Sequence, residues 1–403
     1  MAVGPIPTQR AGASRGTRVR PFETGLLRIA GLFACAGWVW GAAFELIPAR
    51  MKESVERGEA VGYVTLVQHR GKVAHLSAVG MQDREKSLPM KTGTIFQVMS
   101  MSKPVTSVGI MMLMEEGRLA LTDAVEKHLP EFRGQKMLAG DVLRKPARAI
   151  AIRDLLTHTS GLQEMPPEGM GGANFYFEMK HTLAEAVAIY SQLPLLFDPG
   201  TKWQYSNTGM AALGRIIEVV SGKPYETFLQ ERVFGPLGMK DSFFFPKEEH
   251  KARIAMAYDA GPDGKARRMG DAIYRMQRKY SMPEGGLFST AVDMAAFYQM
   301  MLDGGVYRGK RLLSRASVEA MTAWHTEEMR RHWGLGWSLM RTAGSMLSLT
   351  SEKAYGHAGA LGTFGWVDPA RQLVGVFLVQ AFGLPVDGAR NTFVEVANAS
   401  VVE

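Results

Sequence analysis

The stretch TIFQVMSMSKPVTSVGIMMLMEE (residues 94–116) runs from a β-rich segment into a long apolar helical pattern, with a serine and a lysine at the join. A short strand over Thr94–Gln97 would deliver Ser100 to the front of a helix spanning 100–116. Pro104 is tolerated in its first turn, and Gly117 stops it. Residues three apart share a helix face, so the Lys103 amine reaches the Ser100 hydroxyl. A serine hydroxyl is a weak nucleophile until something takes its proton. Lysine does so only when neutral, which burial enforces by lowering its pKa. Val105–Met114 is apolar enough to bury the helix. Alone, Ser-x-x-Lys also reads as a capping serine with a surface lysine.

Two further segments carry chemistry. Tyr205-Ser206-Asn207 follows the turn signal Asp198-Pro199-Gly200-Thr201 and precedes an amphipathic helix carrying Met210, Leu213, Ile216 and Ile217, ended by Gly222 and Pro224. Tyr205 therefore sits on a loop, free to point into a cleft. A phenol beside a lysine cation is expected to ionise more readily and shuttle protons. Asn207 offers a donor and an acceptor, and either Ser206 or Asn207 serves as N-cap. His357-Ala358-Gly359-Ala360 precedes the β-rich run Thr363–Val367. Its small residues let a substrate lie against backbone, where a strand N–H and the N–H of Ser100 would form an oxyanion hole.

The 403 residues allow one large domain or two built together, and 46% hydrophobic with 21% charged residues is ordinary for a globular core. The one cysteine, Cys35, excludes an intramolecular disulfide. Half of the net charge of +8 falls in the first 43 residues, with five arginines against Glu23, and the remainder is mild for the size of the body. The densest cluster in the body is Lys265, Arg267, Arg268, Arg275, Arg278 and Lys279. It reads as a solvated face, and no nucleic-acid module accompanies it. No metal-ligand spacing is present; His158 and His181 are scattered, and a structural role is expected for His158. Gly12-Ala13-Ser14-Arg15-Gly16 matches a nucleophile elbow without the strand and helix that motif needs.

Residues 1–24 read as a disordered basic tail. Residues 25–43 are apolar, but the uncharged run after Arg28 is short for a membrane span and suits the core of an export signal, with Gly41-Ala42-Ala43 as a cleavage pattern. Leu32-Phe33-Ala34-Cys35 only loosely matches a lipoprotein box. An exported, periplasmic or membrane-anchored location is preferred to a cytoplasmic one, with membrane contact expected only through residues 25–43. The body, 44–403, opens with a helix over 46–57 and a hairpin of Val61–Gln68 and Lys72–Val79 about His69-Arg70-Gly71. Strands return at Gly334–Met340, Gly362–Val367 and Leu373–Gln380, before a helix over 388–400. This predicts an α+β fold. An antiparallel sheet is built from both ends of the body (about 44–99 and 285–403), with a mostly helical insertion (about 100–284).

The three segments, in this order, resemble the penicillin-recognising serine hydrolases: class C β-lactamases, D-alanyl-D-alanine carboxypeptidases and the carboxylesterases that share their β-lactamase/transpeptidase-like fold. The resemblance covers residues 44–403. It extends to IRDLLTHTSGL (152–162), FDPGTKWQYSNTG (197–209), GGLFSTAVDMAA (285–296) and GHAGALGTFGWVDP (356–369). It implies Ser100 as nucleophile, Lys103 as its partner and Tyr205 as proton shuttle. It also implies the N–H groups of Ser100 and Ala360 as oxyanion hole, and Asn207, His357 and Gly359 as substrate contacts. His357 stands where class C β-lactamases carry lysine. This favours an esterase or peptidase over efficient hydrolysis of carboxylate-bearing antibiotics. The expected activity is a carboxylesterase acting through an acyl-enzyme on a small ester, amide or peptide, without cofactor, metal or nucleic acid. The alternatives are a carboxypeptidase, a β-lactamase, a transferase passing the acyl group to another alcohol, or a non-catalytic β-lactam or peptidoglycan sensor. Oligomeric state is not legible.

Overall fold

Tyr63, Val64, Leu66 and Val67 all find an apolar environment on one face or the other of their strand, and this double burial organises the molecule. The computed structural model describes residues 44–167, 179–270, 278–340 and 349–401. The tail and apolar run of residues 1–43, with Cys35, Gly41–Ala43 and the Gly12–Gly16 match, lie outside the described residues, as does Arg275. The principal helices are α1 (Leu46–Glu56), α2 (Ser102–Glu115), α3 (Asn207–Ser221), α4 (Ala291–Leu302) and α5 (Asp387–Ala399). The central sheet comprises β1 (Gly62–His69), β2 (Lys72–Asp83), β3 (Leu88–Pro89), β4 (Ser338–Leu339), β5 (Tyr355–Ala358), β6 (Phe364–Asp368) and β7 (Leu373–Leu378). Its order is β4-β5-β6-β7-β1-β2-β3, antiparallel throughout.

The hairpin follows from its turn. His69 pairs with Lys72, leaving Arg70 (φ 50°) and Gly71 (φ 74°) as a two-residue loop. Two consecutive positive φ angles match the right-handed twist of the flanking strands. β2 continues beyond Val79 to Asp83. The ends of the body then meet: β1 pairs with β7 from Val64↔Leu378 to His69↔Leu373.

Strand alternation divides the core. Tyr63 and Val67 of β1, with Leu373 and Phe377 of β7, pack with Ile47 and Met51 of α1 and Phe393, Val394 and Ala397 of α5. Val64 and Leu66, with Val374, Val376 and Leu378, face the larger cluster containing Phe297 and Tyr298 of α4 and the apolar residues of α2. Glycine permits the tightest contact: Gly375 lies opposite Trp366, and a Cβ there would fall 2.0 Å from the indole ring.

Two expectations are corrected. Of Gly334–Met340, only Ser338–Leu339 form a strand. A Cβ at Gly334 would meet Met321 O at 2.2 Å, and Gly336 (φ 79°) abuts Ser107, so the segment curls against helices instead of extending. The basic cluster is not a common solvated face. Arg278 is buried, with its guanidinium 4.9 Å from the Phe288 ring centroid and donating to the Phe244 carbonyl.

Gly375→Ala is expected to cost about 2–3 kcal/mol, because the buried Trp366 ring has no room to retreat. Urea unfolding with an unchanged slope and a lowered midpoint would show it.

Candidate active site

The site begins with backbone strain. Phe96–Gln97 pair with Phe288–Ser289 as a short antiparallel ribbon, shorter than the predicted Thr94–Gln97 strand. The chain then turns through Met99 at φ 51°, a left-handed conformation rare for a side chain of this size, before a 3₁₀ turn over Met99–Met101 enters α2. Ser102 ties this turn down: its hydroxyl donates to Met99 O at 2.6 Å and accepts from the Leu287 N–H at 3.1 Å. Ser100 is left half-buried at the front of a helix whose residues from Ser102 to Leu113 are all buried.

Lys103 has 0% exposure. Its Nζ donates to Ser100 Oγ at 2.9 Å and to the backbone oxygen of Glu284 at 2.7 Å. Burial lowers its pKa to about 7, against the opposing charges of Glu284 and Glu164. The amine is therefore neutral in a large fraction of molecules at neutral pH, as a proton acceptor for Ser100 must be.

Tyr205 approaches from the loop ahead of α3. The turn that follows the short helix Ile152–Leu156, with His158 at φ 58°, shapes that loop: Gly200 N–H donates to Thr159 O, Gln204 N–H to His158 O, and Ser206 N–H to His158 Nδ1 at 3.2 Å. The imidazole lies 4.6 Å from the Tyr205 ring, between centroids. The role expected for His158 was structural, and these contacts place it directly beneath Tyr205. Lys103 Nζ stands 4.6 Å from the Tyr205 ring centroid, and the phenol hydrogen-bonds Ser100. The expectation of a readily ionised phenol is corrected. Burial, with Glu164 and Glu284 nearby, holds the Tyr205 pKa well above its ordinary value. A lysine that has itself lost its charge bias offers little opposing attraction. Ser206 caps α3, its Oγ accepting from Gly209 N–H at 3.0 Å. Asn207 is the first helical residue, half-buried, its N–H on Glu164 O.

The third segment ends β5. His357, paired with Gly365, is buried and donates from Nδ1 to Ala358 O at 2.7 Å. Burial and then the Lys103 charge lower its pKa to about 3, so the imidazole is neutral and Nε2 is an acceptor. Among the described residues Nε2 has no partner. Gly359 lies against the residues leading into Ser100. Its N–H donates to Thr363 O at 2.7 Å, Thr363 Oγ1 donates to Val98 O at 2.9 Å, and a Cβ at Gly359 would meet Val98 O at 2.5 Å. Ala360, next in the chain, is exposed, and its N–H has no acceptor among the described residues.

Sequence reasoning missed Trp203, Trp333, Glu164 and Glu284. Trp333 packs edge-on to His357 at 5.5 Å and against Trp203 at 5.6 Å between centroids, forming an aromatic wall with Tyr205. The Arg331 guanidinium covers Trp203 at 5.1 Å. The available signals were adjacency, Trp203 to Tyr205 and Glu284 to Gly285. A cavity of about 920 Å³, lined by Arg148, Asp154, Thr157, Thr159 and His325 among others, lies behind the His158 segment and is separate from Ser100.

The family model described as Beta-lactamase matches residues 47–399. An uncharacterized protein of Mycobacterium tuberculosis is 34% identical over 358 residues, covering 82% of this chain and 88% of that one. Esterase EstB of Burkholderia gladioli is 32% identical over 246 residues, 59% of each chain. Among solved structures, EstCE1, a hydrolase with promiscuous acyltransferase activity, superposes with a TM-score of 0.78 at 22% identity, covering 89% of this chain and 99% of its own. That likeness shows the fold.

Gly359→Ala is expected to push the end of β5 away from Val98 and slow modification of Ser100 by a fluorophosphonate about a hundredfold, as misplacements near 1 Å do. Labelling rates compared with thermal melting would separate this from unfolding.

Proposed function

The chain belongs to the β-lactamase family, and from that premise we propose that it is a serine hydrolase cleaving small carboxylic esters through an acyl-enzyme on Ser100. The observation that carries the reading is the buried Lys103 amine, 2.9 Å from Ser100 Oγ with its pKa lowered to about 7.

The steps follow from the protonation states. Neutral Lys103 takes the Ser100 proton as Oγ bonds to the ester carbonyl carbon. The carbonyl electron pair moves onto oxygen, which is held by the N–H groups of Ser100 and Ala360. The carbon–oxygen ester bond then breaks. The departing alkoxide takes the Tyr205 hydroxyl proton, and Lys103 ammonium restores it. Tyr205 suits this acid role because it stays protonated throughout the neutral range. Water repeats the sequence on the acyl-serine, releasing acid and free Ser100. Asn207 and Gly359 line the substrate path, and the buried His357 imidazole backs it.

The ester preference rests on His357. A neutral imidazole supplies no charge for the carboxylate that β-lactams carry. The aromatic wall of Trp203, Tyr205 and Trp333 suits an apolar acyl or alkoxy group. A carboxylate-bearing peptide or β-lactam would have to draw on Arg331, stacked on Trp203.

A short-chain nitrophenyl ester is expected to turn over with a higher kcat/KM than a chromogenic cephalosporin or a D-alanyl peptide. Ser100→Ala is expected to lower that turnover about a thousandfold or more. Unchanged turnover in that variant, or a cephalosporin leading the three, rejects the assignment. The ester kcat/KM is expected to rise with pH and level off above about 7, as Lys103 loses its proton.

A further inference from the structure

Glu284 is a buried acid that the reaction above does not use. It is 1% exposed and belongs to a tight turn whose consecutive carbonyls are all engaged. Thr106 Oγ1 donates to Pro283 O at 2.7 Å, Lys103 Nζ to Glu284 O at 2.7 Å, and Gln97 Nε2 to Gly285 O at 3.2 Å. Gly285 and Gly286 N–H groups both return to Met282 O, and Gly286 has no room for a Cβ, which would fall 2.1 Å from Ser281 O. The backbone at Glu284 is therefore fixed against the strand before Ser100 and the helix after it. Its side chain is fixed as well, with the Tyr280 hydroxyl donating to Oε1 at 2.6 Å.

We propose that Glu284 is the positioning residue for Lys103: its carbonyl oxygen aims the amine at Ser100 Oγ, and its carboxylate supplies the buried counter-charge against which that amine gains and loses its proton. This rests on the serine hydrolase reading. Lys103 is faced by Ser100 of its own turn, by Tyr205, by the imidazoles of His158 and His357, and by two acids, Glu164 and Glu284. Both imidazoles are held neutral by burial, so the acids are the groups that favour the ammonium. Of the two, Glu284 has the greater effect on Lys103 and also has its backbone oxygen on Nζ. Burial raises the pKa of the Tyr190, Tyr205 and Tyr225 phenols, and the same carboxylate adds to it. One acid thereby restrains Lys103 from becoming too weak a base and adds to the burial that holds Tyr205 in its proton-donating form.

The sign of the effect is fixed by charge. A carboxylate favours ammonium over amine, so removing it moves the Lys103 transition to lower pH. The test uses the full chain and Glu284→Gln, which keeps the carbonyl contact. Intact mass follows the rate at which a fluorophosphonate modifies Ser100 from pH 4 to 9. The half-maximal pH is expected to fall by about one unit, and the plateau rate about threefold, because a weaker base takes the proton less readily. Glu284→Asp is expected to return the half-maximal pH towards the original value. Glu284→Ala serves if the glutamine variant does not fold, with the same direction of shift. An unmoved or raised half-maximal pH in a folded variant overturns the positioning role while leaving the hydrolase reading intact. Failure of the unaltered chain to label at Ser100 at any pH overturns the hydrolase reading itself.

Discussion

A primary amine sealed away from water and aimed at one hydroxyl is the constraint around which this molecule is arranged. Moving Lys103 from water into the core weakens its hold on a proton by several units, a penalty on the order of 5 kcal/mol for the charged form. The rest of the fold makes that burial permanent. α2 is buried on every side from Ser102 to Leu113, and Gly109 lets it approach Ile217 of α3 closely. The turn at 283–285 closes over the amine, while the ribbon of Phe96–Gln97 with Phe288–Ser289 ties that turn to the strand before Ser100. The segment after β5 closes on the residues leading into Ser100, with Gly359 against Val98 and Thr363 Oγ1 donating to Val98 O. Each of these elements has packing partners of its own, and only their convergence removes water from Nζ.

The amine and the phenol receive opposite treatment from one environment. Desolvation disfavours charge whatever its sign, so it strips the proton from lysine and retains it on tyrosine. The result is an amine and a phenol on either side of Ser100, the phenol protonated and the amine able to gain or lose its proton near neutral pH.

What the chain revealed of this in advance followed from local periodicity. Ser100 and Lys103 share a face because a helix brings residues three apart together, and the spacing is visible in four letters. The loop position of Tyr205 was legible from Asp198-Pro199-Gly200. The central hairpin was legible from Arg70-Gly71 between two β-rich runs, and the participation of both ends of the body in one sheet from where the strand signals fall. What stayed hidden depends on contacts distant in sequence. Glu284 carries no local mark beyond its place beside Gly285, since its importance comes from a carbonyl and a carboxylate delivered across the molecule to Lys103. Gly334–Met340 has strand composition, but Met321 and Ser107 take up the space beside its glycines. The phenol of Tyr205 was misjudged because proximity to a lysine was counted and the loss of water was not. Arg278 reads as one more surface cation and is covered by Phe288.

The pairing of β1 with β7 has a consequence for how the polypeptide is made. Some 300 residues separate the two strands along the chain. At 5–20 residues per second a ribosome needs roughly 15–60 s to supply β7 after β1 has emerged. Throughout that interval β1 has one hydrogen-bonding edge occupied by β2 and the other bare, beside apolar side chains whose cover still lacks β7 and α5. The nascent chain must therefore be shielded from like strands on neighbouring chains, and the sheet, though begun by the first residues of the body, is among the last parts of it to be completed.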